Sequence, residues 1–231
     1  MLNVTALNQF YGESHTLWDI DLQVAAGRCT CLMGRNGVGK TTLLACIMGL
    51  IAPRSGQVLF REEDITRVAV EGRADMGIGY VPQGRQIFPL LSVRENLEIG
   101  LACRKGKKKA IPEMIFELFP VLEEMLGRRG GDLSGGQQQQ LAIGRALVLE
   151  PTLLILDEPT EGIQPNIVQE IGEIIRRLQR ELGMTILLVE QKLKFVRAVA
   201  DCFVILDRGR AVAEGNIDGL HEGLIKEYLT V

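Results

Sequence analysis

The chain has 231 residues, with 26 Lys+Arg against 29 Asp+Glu and a formal net charge of −3. Hydrophobic residues make up 46% and charged residues 24%, the balance of a globular chain long enough for a sizeable core. Mild acidity gives no global attraction to nucleic acid, and no apolar run approaches the roughly 20 residues that span a bilayer.

The start, MLNVTALNQF, has no basic segment followed by a long apolar stretch. It does not read as a signal peptide, and a cytosolic location is expected. Leu2 to Val24 alternates apolar and polar residues and predicts strands around the turn Tyr11-Gly12-Glu13-Ser14. Cys29 to Met33 reads as a buried strand that enters a Gly-rich loop and then a helix from Thr41 to Met48. A turn at Pro53 to Gly56 precedes short strands at Val58 to Phe60 and Ile78 to Val81, the latter closed by Pro82. From about Gly84 to Leu149 the pattern is helical, with pieces at Val93–Cys103, Ile111–Leu118 and Val121–Leu126. Strands return at Thr152–Leu156, Thr185–Val189 and Cys202–Leu206. Between the first two of these, Ile167, Ile171, Ile174, Ile175, Leu178 and Leu182 recur at helical spacing and make one apolar stripe. Buried strands alternating with helices predict a mostly parallel α/β sheet, with the middle helices as an inserted lobe.

Cys29 and Cys31 fall on one side of their strand, and neither a second close pair nor a nearby His supplies zinc ligands. Cys46, Cys103 and Cys202 are scattered, so reduced thiols are expected. The basic run Arg104-Lys105-Gly106-Lys107-Lys108-Lys109 reads as a solvated loop or as a contact for anionic head groups.

Three motifs carry chemistry. Gly34-Arg35-Asn36-Gly37-Val38-Gly39-Lys40-Thr41-Thr42 fits G-x-x-x-x-G-K-[ST] between a strand and a helix. Its glycines let backbone N–H groups turn inward on phosphate oxygens, and the helix adds its positive end. Lys40 places a charge on the β and γ phosphates, and the Thr41 hydroxyl is a ligand for Mg²⁺. Leu153 to Leu156 is an apolar strand that ends in Asp157 and Glu158. Asp157 suits Mg²⁺, and Glu158 suits polarising an attacking water. Leu133-Ser134-Gly135-Gly136-Gln137 opens a further helix, with Ser134 as N-cap and a second cluster of amides free to meet an anion.

In this order and spacing, GRNGVGKTT, LSGGQ and LLILDEP resemble the ATP-binding subunit of an ABC transporter over essentially the whole chain. The resemblance implies a P-loop ABC ATPase cassette of the α/β class. It would have a RecA-like core, an antiparallel β subdomain and an inserted α-helical subdomain. The single domain 1–231 would then divide into 1–83 and 150–231 for the core with the β subdomain, and about 84–149 for the lobe that carries LSGGQ. The resemblance further implies a head-to-tail dimer that sandwiches each ATP between the phosphate loop of one subunit and Ser134, Gly135 and Gly136 of the other. Gln83 would touch Mg²⁺ and water while linking lobe to core. Tyr11 would stack on adenine, the alternative being a half-buried strand tyrosine.

Two departures from the family pattern stand out. The strand Thr185–Val189 is followed by Glu190-Gln191-Lys192, where the family usually places a histidine at the γ-phosphate. Gln191 donates a hydrogen bond but carries no proton or charge, which leaves Glu158 as the main candidate base. Gly162-Ile163-Gln164-Pro165 replaces the family's aspartate after the carboxylate strand. With VEQ, both departures resemble the branched-chain amino-acid and urea branch of importer ATPases. The strings Gly127 to Leu141 and Asp157 to Pro165 look most like the urea-transport member. The expected function is therefore the ATP-hydrolysing motor of an importer, for urea or alternatively branched-chain amino acids. It would work on the cytoplasmic face of the plasma membrane with a second ATPase subunit (a heterodimer by resemblance, or else a homodimer), two permeases and, through the complex, a solute-binding protein. Ile87-Phe88-Pro89-Leu90-Leu91 is expected either to dock a permease helix or to fill the lobe's core. A soluble ABC ATPase on nucleic acid is the competing class, and it lacks here the coiled coils or second cassette that such proteins add.

Overall fold

The computed structural model describes residues 1–102 and 110–230; Cys103 and the basic run 104–109 lie outside the described residues. The first strands are β1 (Leu2–Tyr11) and β2 (Ser14–Val24), followed by β3 (Cys29–Met33) and helix α1 (Lys40–Met48). β4 (Ser55–Phe60), β5 (Glu63–Asp64), α2 (Val70–Asp75) and β6 (Ile78–Val81) complete the first third. The middle holds α3 (Val93–Ala102), α4 (Glu113–Leu118), α5 (Pro120–Glu124) and α6 (Gly135–Leu147). β7 (Leu153–Asp157), α7 (Pro165–Arg180), β8 (Thr185–Val189), α8 (Leu193–Val199), β9 (Cys202–Asp207) and β10 (Arg210–Asn216) follow, before short helical turns from Ile217 to Leu229.

The alternating segments become an antiparallel sheet of order β2-β1-β4-β5. The other sheet has the order β10-β9-β3-β8-β7-β6, parallel except for its antiparallel edge strand β10. Its middle strands CTCLM, LLILD and TILLV are buried at every position. That is the pattern of strands covered on both faces, so helices and the second sheet must lie above and below. One core holds α1, the antiparallel sheet and one sheet face, through Leu43, Ile47, Val4, Phe60, Ile155 and Leu187. The other joins the opposite face to the middle helices, α7 and α8, through Leu97, Ile115, Leu141, Leu154, Ile175 and Phe195.

α7 buries Ile171, Ile175 and Leu178 along the expected stripe, each stabilising by roughly 1.5–3 kcal/mol. Leu182 leaves that stripe: α7 ends at Arg180, and Leu182 is 50% exposed. The expected turn Pro53 to Gly56 ends early because β4 already starts at Ser55, where the backbone of Asn8 pairs with it. The helix expected over Val121–Leu126 is Pro120–Glu124, with Pro120 at its start, where a missing N–H does no harm. Short α2 and α8 carry too little periodicity to be read from sequence.

The parallel strands matter for function because they end together. β3, β8 and β7 are consecutive parallel strands, with β8 in the middle, so the loops after Met33, Val189 and Asp157 emerge in a row. Strand ends of this kind are where ligands bind in open α/β sheets.

Candidate functional site

Residues 34–39 turn tightly between β3 and α1 because glycine is required there. Gly34 has φ +146°, and a Cβ on it would lie 2.3 Å from the carbonyl oxygen of Leu206. Gly39 caps α1 at φ 109°, where a Cβ would lie 2.7 Å from a Leu17 methyl. Lys40 follows with its side chain buried and folded back over the loop. Its Nζ donates to the carbonyls of Gly34 at 2.8 Å and Arg35 at 3.0 Å. It also lies 3.8 Å from Glu158 Oε1. Burial holds the Lys40 pKa below its ordinary value, opposed by the negative charges of Glu158 and Asp157. The amine therefore rests on two carbonyls in a part-dry loop, a cation at the N-terminal end of α1, where a helix favours an anion. Thr41 is exposed at the first turn, with Thr42 beside it. Tyr11, at the end of β1, is 52% exposed, and its hydroxyl lies 3.5 Å from Thr42 Oγ1. That places a ring with a free surface at the edge of the phosphate loop. Val38 is packed in the core beneath it, whereas Asn36 and Gly37 are exposed.

Asp157 ends β7 and is only 3% exposed. Its Oδ2 is buried without a hydrogen-bond partner. Burial first, and then the Glu158 charge, push its carboxyl up to about 6, with Lys40 pulling the other way. An orphaned buried acceptor of this kind is costly unless something binds it. Glu158 has φ 48°, the left-handed region that is rare for non-glycine residues, and its N–H donates to Val189 O at 2.9 Å. Its Oε1 accepts from Gln191 Nε2 at 2.6 Å, and its Oε2 accepts from Gln83 Nε2 at 3.2 Å. Gln83 Nε2 also donates to Glu161 Oε2 at 2.9 Å. Gln191 Nε2 reaches Asn36 Oδ1 at 2.8 Å as well. The structure thus brings Asn36, Lys40, Gln83, Asp157, Glu158 and Gln191 into one cluster.

Among the described residues, no group of three or more His, Cys, Asp or Glu could hold a metal ion. Mg²⁺ does not need one: it keeps waters and takes one or two carboxylates together with phosphate oxygens. Asp157 has the unpartnered buried oxygen that such an ion can take, and Thr41 and Gln83 carry the hydroxyl and amide oxygens suited to the same chemistry.

Ser134, Gly135, Gly136 and Gln137 stand apart from this cluster. Gln137 N donates to Ser134 Oγ at 3.3 Å, and Ser134 N donates to Gln137 Oε1 at 2.9 Å, so the start of α6 is a capping box. The amides of Gly135 and Gly136 have no intrahelical acceptor by their position in the first turn. These four residues line a cavity of about 440 Å³ with Val121, Gln140, Gly162, Gln164, Ile167 and Glu170. No phosphate-loop residue lines it. Within one chain the two amide clusters are separate. The segment after Gln83 divides: Ile87 packs on the core, whereas Phe88 is 44% and Leu90 81% exposed.

Sequence reading missed Glu161, Thr160 and Glu190. Glu190 had a detectable signal, being a charged residue directly after five buried strand positions.

A family model described as ABC transporter matches residues 17–161. The high-affinity branched-chain amino acid transport ATP-binding protein BraG of Pseudomonas aeruginosa is 39% identical over 92% of this chain and 91% of that protein. The probable branched-chain amino acid transport ATP-binding protein LivF of Archaeoglobus fulgidus is 37% identical over 96% of this chain and 94% of that one. Among solved structures, a nucleotide-free ATP-binding cassette of an ABC transporter superposes with TM-score 0.85 at 30% identity, covering 99% of this chain and 94% of that one. A dimeric cassette in a post-hydrolysis state with ADP and Pi also superposes at 0.85, at 26% identity, covering 95% of this chain and all of that one.

Proposed function

This chain belongs to the ABC transporter family and is an ATP-hydrolysing cassette, and on that premise we propose that it is the motor subunit of an importer in the branched-chain amino-acid and urea branch. The observation that carries the motor reading is the convergence of Lys40, Asp157, Glu158, Gln83 and Gln191 at the ends of β3, β6, β7 and β8.

The phosphate loop from Gly34 to Thr42 would bind the triphosphate through its amides, with Lys40 turning from its two carbonyls to the β and γ phosphates. Tyr11 would stack on the adenine. Thr41, Gln83 and Asp157 would hold Mg²⁺, which supplies neutralising charge at the phosphates when bound. Glu158 would accept the proton of the water that attacks the γ-phosphorus, while Gln83 and Gln191 orient that water and the carboxylate. The open cavity at Ser134, Gly135, Gly136 and Gln137 supports closure against a second subunit, whose bound triphosphate would face it. Two different anion half-sites that lie apart in one chain would thereby be joined across two subunits by a shared polyanion. Residues 1–83 and 150–231 would act as the core, and about 84–149 as the lobe that moves with the membrane subunits.

The exposed Phe88 and Leu90 would seat a permease helix at the cytoplasmic face of the membrane. Among the described residues no helix is long and apolar enough to cross a membrane, so the pathway must lie in such partners. A second, different ATPase, two permeases and a solute-binding protein would complete the importer.

Two relatives named for branched-chain amino-acid transport support that solute class. The urea reading rests on the strings Gly127 to Leu141 and Asp157 to Pro165. The deciding experiment reconstitutes the chain with permeases and a binding protein of this importer branch and measures ATP-dependent uptake of labelled urea and labelled leucine. Uptake of neither, with ATPase intact, rejects the importer reading; uptake of leucine alone rejects urea.

A further inference from the structure

We propose that Glu190 is a positioning residue for ATP hydrolysis, a buried carboxylate that fastens the loop carrying Gln191 to the loop carrying Glu158. The inference rests on the reading of Glu158 as the base. Glu190 follows β8 directly and is 3% exposed. Its Oε1 accepts the hydroxyl of Thr160, which is itself fully buried. Its Oε2 accepts the backbone N–H of Gln191 at 2.5 Å and of Lys192 at 3.2 Å. Lys192 Nζ returns to the carbonyl of Thr160 at 2.7 Å. The two loops are thereby stitched on both sides of Thr160, by one carboxylate and one ammonium.

A buried carboxylate is expensive, and an apolar side chain of similar size would serve packing as well or better. What a fully satisfied polar network adds is one fixed geometry. Here that geometry is the relation between neighbours of the network on either side. Gln191, whose own N–H is held by Glu190, places its amide 2.6 Å from Glu158 Oε1 and 2.8 Å from Asn36 Oδ1. Glu158, two residues before Thr160, has the left-handed backbone at φ 48° and hangs from Val189 O. A conformation of that kind persists only where its surroundings over-determine it. Val189 and Glu190 supply that constraint from one strand end. The hydrogen bonds of the Glu190 carboxylate join the pair of loops, so it sets where Glu158 and Gln191 point.

The experiment compares ATP turnover and ATP affinity in the full chain for wild type, Glu158→Gln, Glu190→Ala, Glu190→Gln, Thr160→Val and the double variant Glu190→Ala/Thr160→Val. Glu190→Gln keeps the geometry, because its carbonyl can accept the two backbone N–H groups and its amide can donate to the Thr160 hydroxyl. The expected result is a kcat lowered about 10- to 100-fold in Glu190→Ala and Thr160→Val, with ATP affinity within about twofold of wild type. Glu190→Gln should stay within about threefold of the wild-type kcat, and the double variant should be no slower than Glu190→Ala. The proposal is overturned if Glu190→Ala turns over at the wild-type rate, if affinity falls in step with kcat, or if Glu190→Gln is as slow as Glu190→Ala. If Glu190→Ala does not fold, Thr160→Val and Glu190→Gln decide by the same criteria. Wild-type turnover in Glu158→Gln is a separate outcome: it removes the base reading and with it the reason for the brace.

Discussion

Gln191 donates from Nε2 to Glu158 Oε1 at 2.6 Å while the same amide reaches Asn36 Oδ1 at 2.8 Å, so one neutral side chain joins the phosphate loop to the carboxylate strand end. An amide has two N–H donors and can satisfy both contacts without titrating. Replacing Gln191 with Ala should lower kcat about 10- to 100-fold and leave ATP affinity nearly unchanged. Steady-state kinetics beside equilibrium binding checks this; an unchanged kcat contradicts the role. A histidine at the same position should restore the hydrogen bond and add a pH inflection near 6.5 that wild type lacks.

Glu158→Gln keeps the side chain's shape and its contact with Gln191 but removes the proton acceptor. Turnover should fall about 10²- to 10⁴-fold while ATP still binds. Rapid-quench hydrolysis with a parallel binding assay reads both quantities. Turnover at the wild-type rate takes the base role away from Glu158.

The Asp157 carboxyl, raised to about 6 by burial and by Glu158, links pH to both stability and binding. Its folded value lies above the ordinary 3.8, so the stabilisation it gives the nucleotide-free chain is full below about 3.8 and lost as pH rises through about 6. Two outcomes are expected. Mg²⁺-dependent ATP affinity should weaken as pH falls from 7 to 5, because the ion displaces a proton. Asp157→Asn should raise the Tm of the nucleotide-free chain at pH 7 by a few degrees while losing Mg²⁺-dependent turnover. A lowered Tm in that variant contradicts the burial account.

Phe88 is exposed on one side, and Arg145 lies over its ring at 5.2 Å. Phe88→Asp and Leu90→Asp should therefore leave folding and basal ATPase intact and remove association with permease-containing membranes. Sedimentation with such membranes measures it; undiminished association and coupling refute docking at this segment.

The elements nearest the chemistry were the most legible in the sequence. Gly34 to Thr42 between an apolar strand and a helix reads locally as a pattern, although the contacts that demand glycine at 34 and 39, with Leu206 and Leu17, do not. The buried strands CTCLM, LLILD and TILLV also read locally, as runs too apolar to face water. Their order in the sheet does not, since β3 lies between β8 and β9 through contacts more than 150 residues apart. The same holds for the brace: Thr160 and Glu190 meet across 30 residues, and neither residue type announces the other. Arg73 was likewise invisible. It is buried with its guanidinium on the carbonyls of Cys46, Ile47, Thr66 and Val68, tying the C-terminal end of α1 in place, a role that no spacing encodes. Leu182 failed for the opposite reason, a periodic residue left outside when the helix stopped at Arg180.

The most direct measurement is isothermal calorimetry of ATP with Mg²⁺ titrated into the folded chain, wild type and Lys40→Ala side by side. Charge-assisted hydrogen bonds of about 1.5–3 kcal/mol predict saturable heat in wild type and affinity lower by roughly 10- to 100-fold without Lys40. No heat with folded wild type, or equal affinity in the two proteins, contradicts the account that main-chain amides and Lys40 together grip a triphosphate.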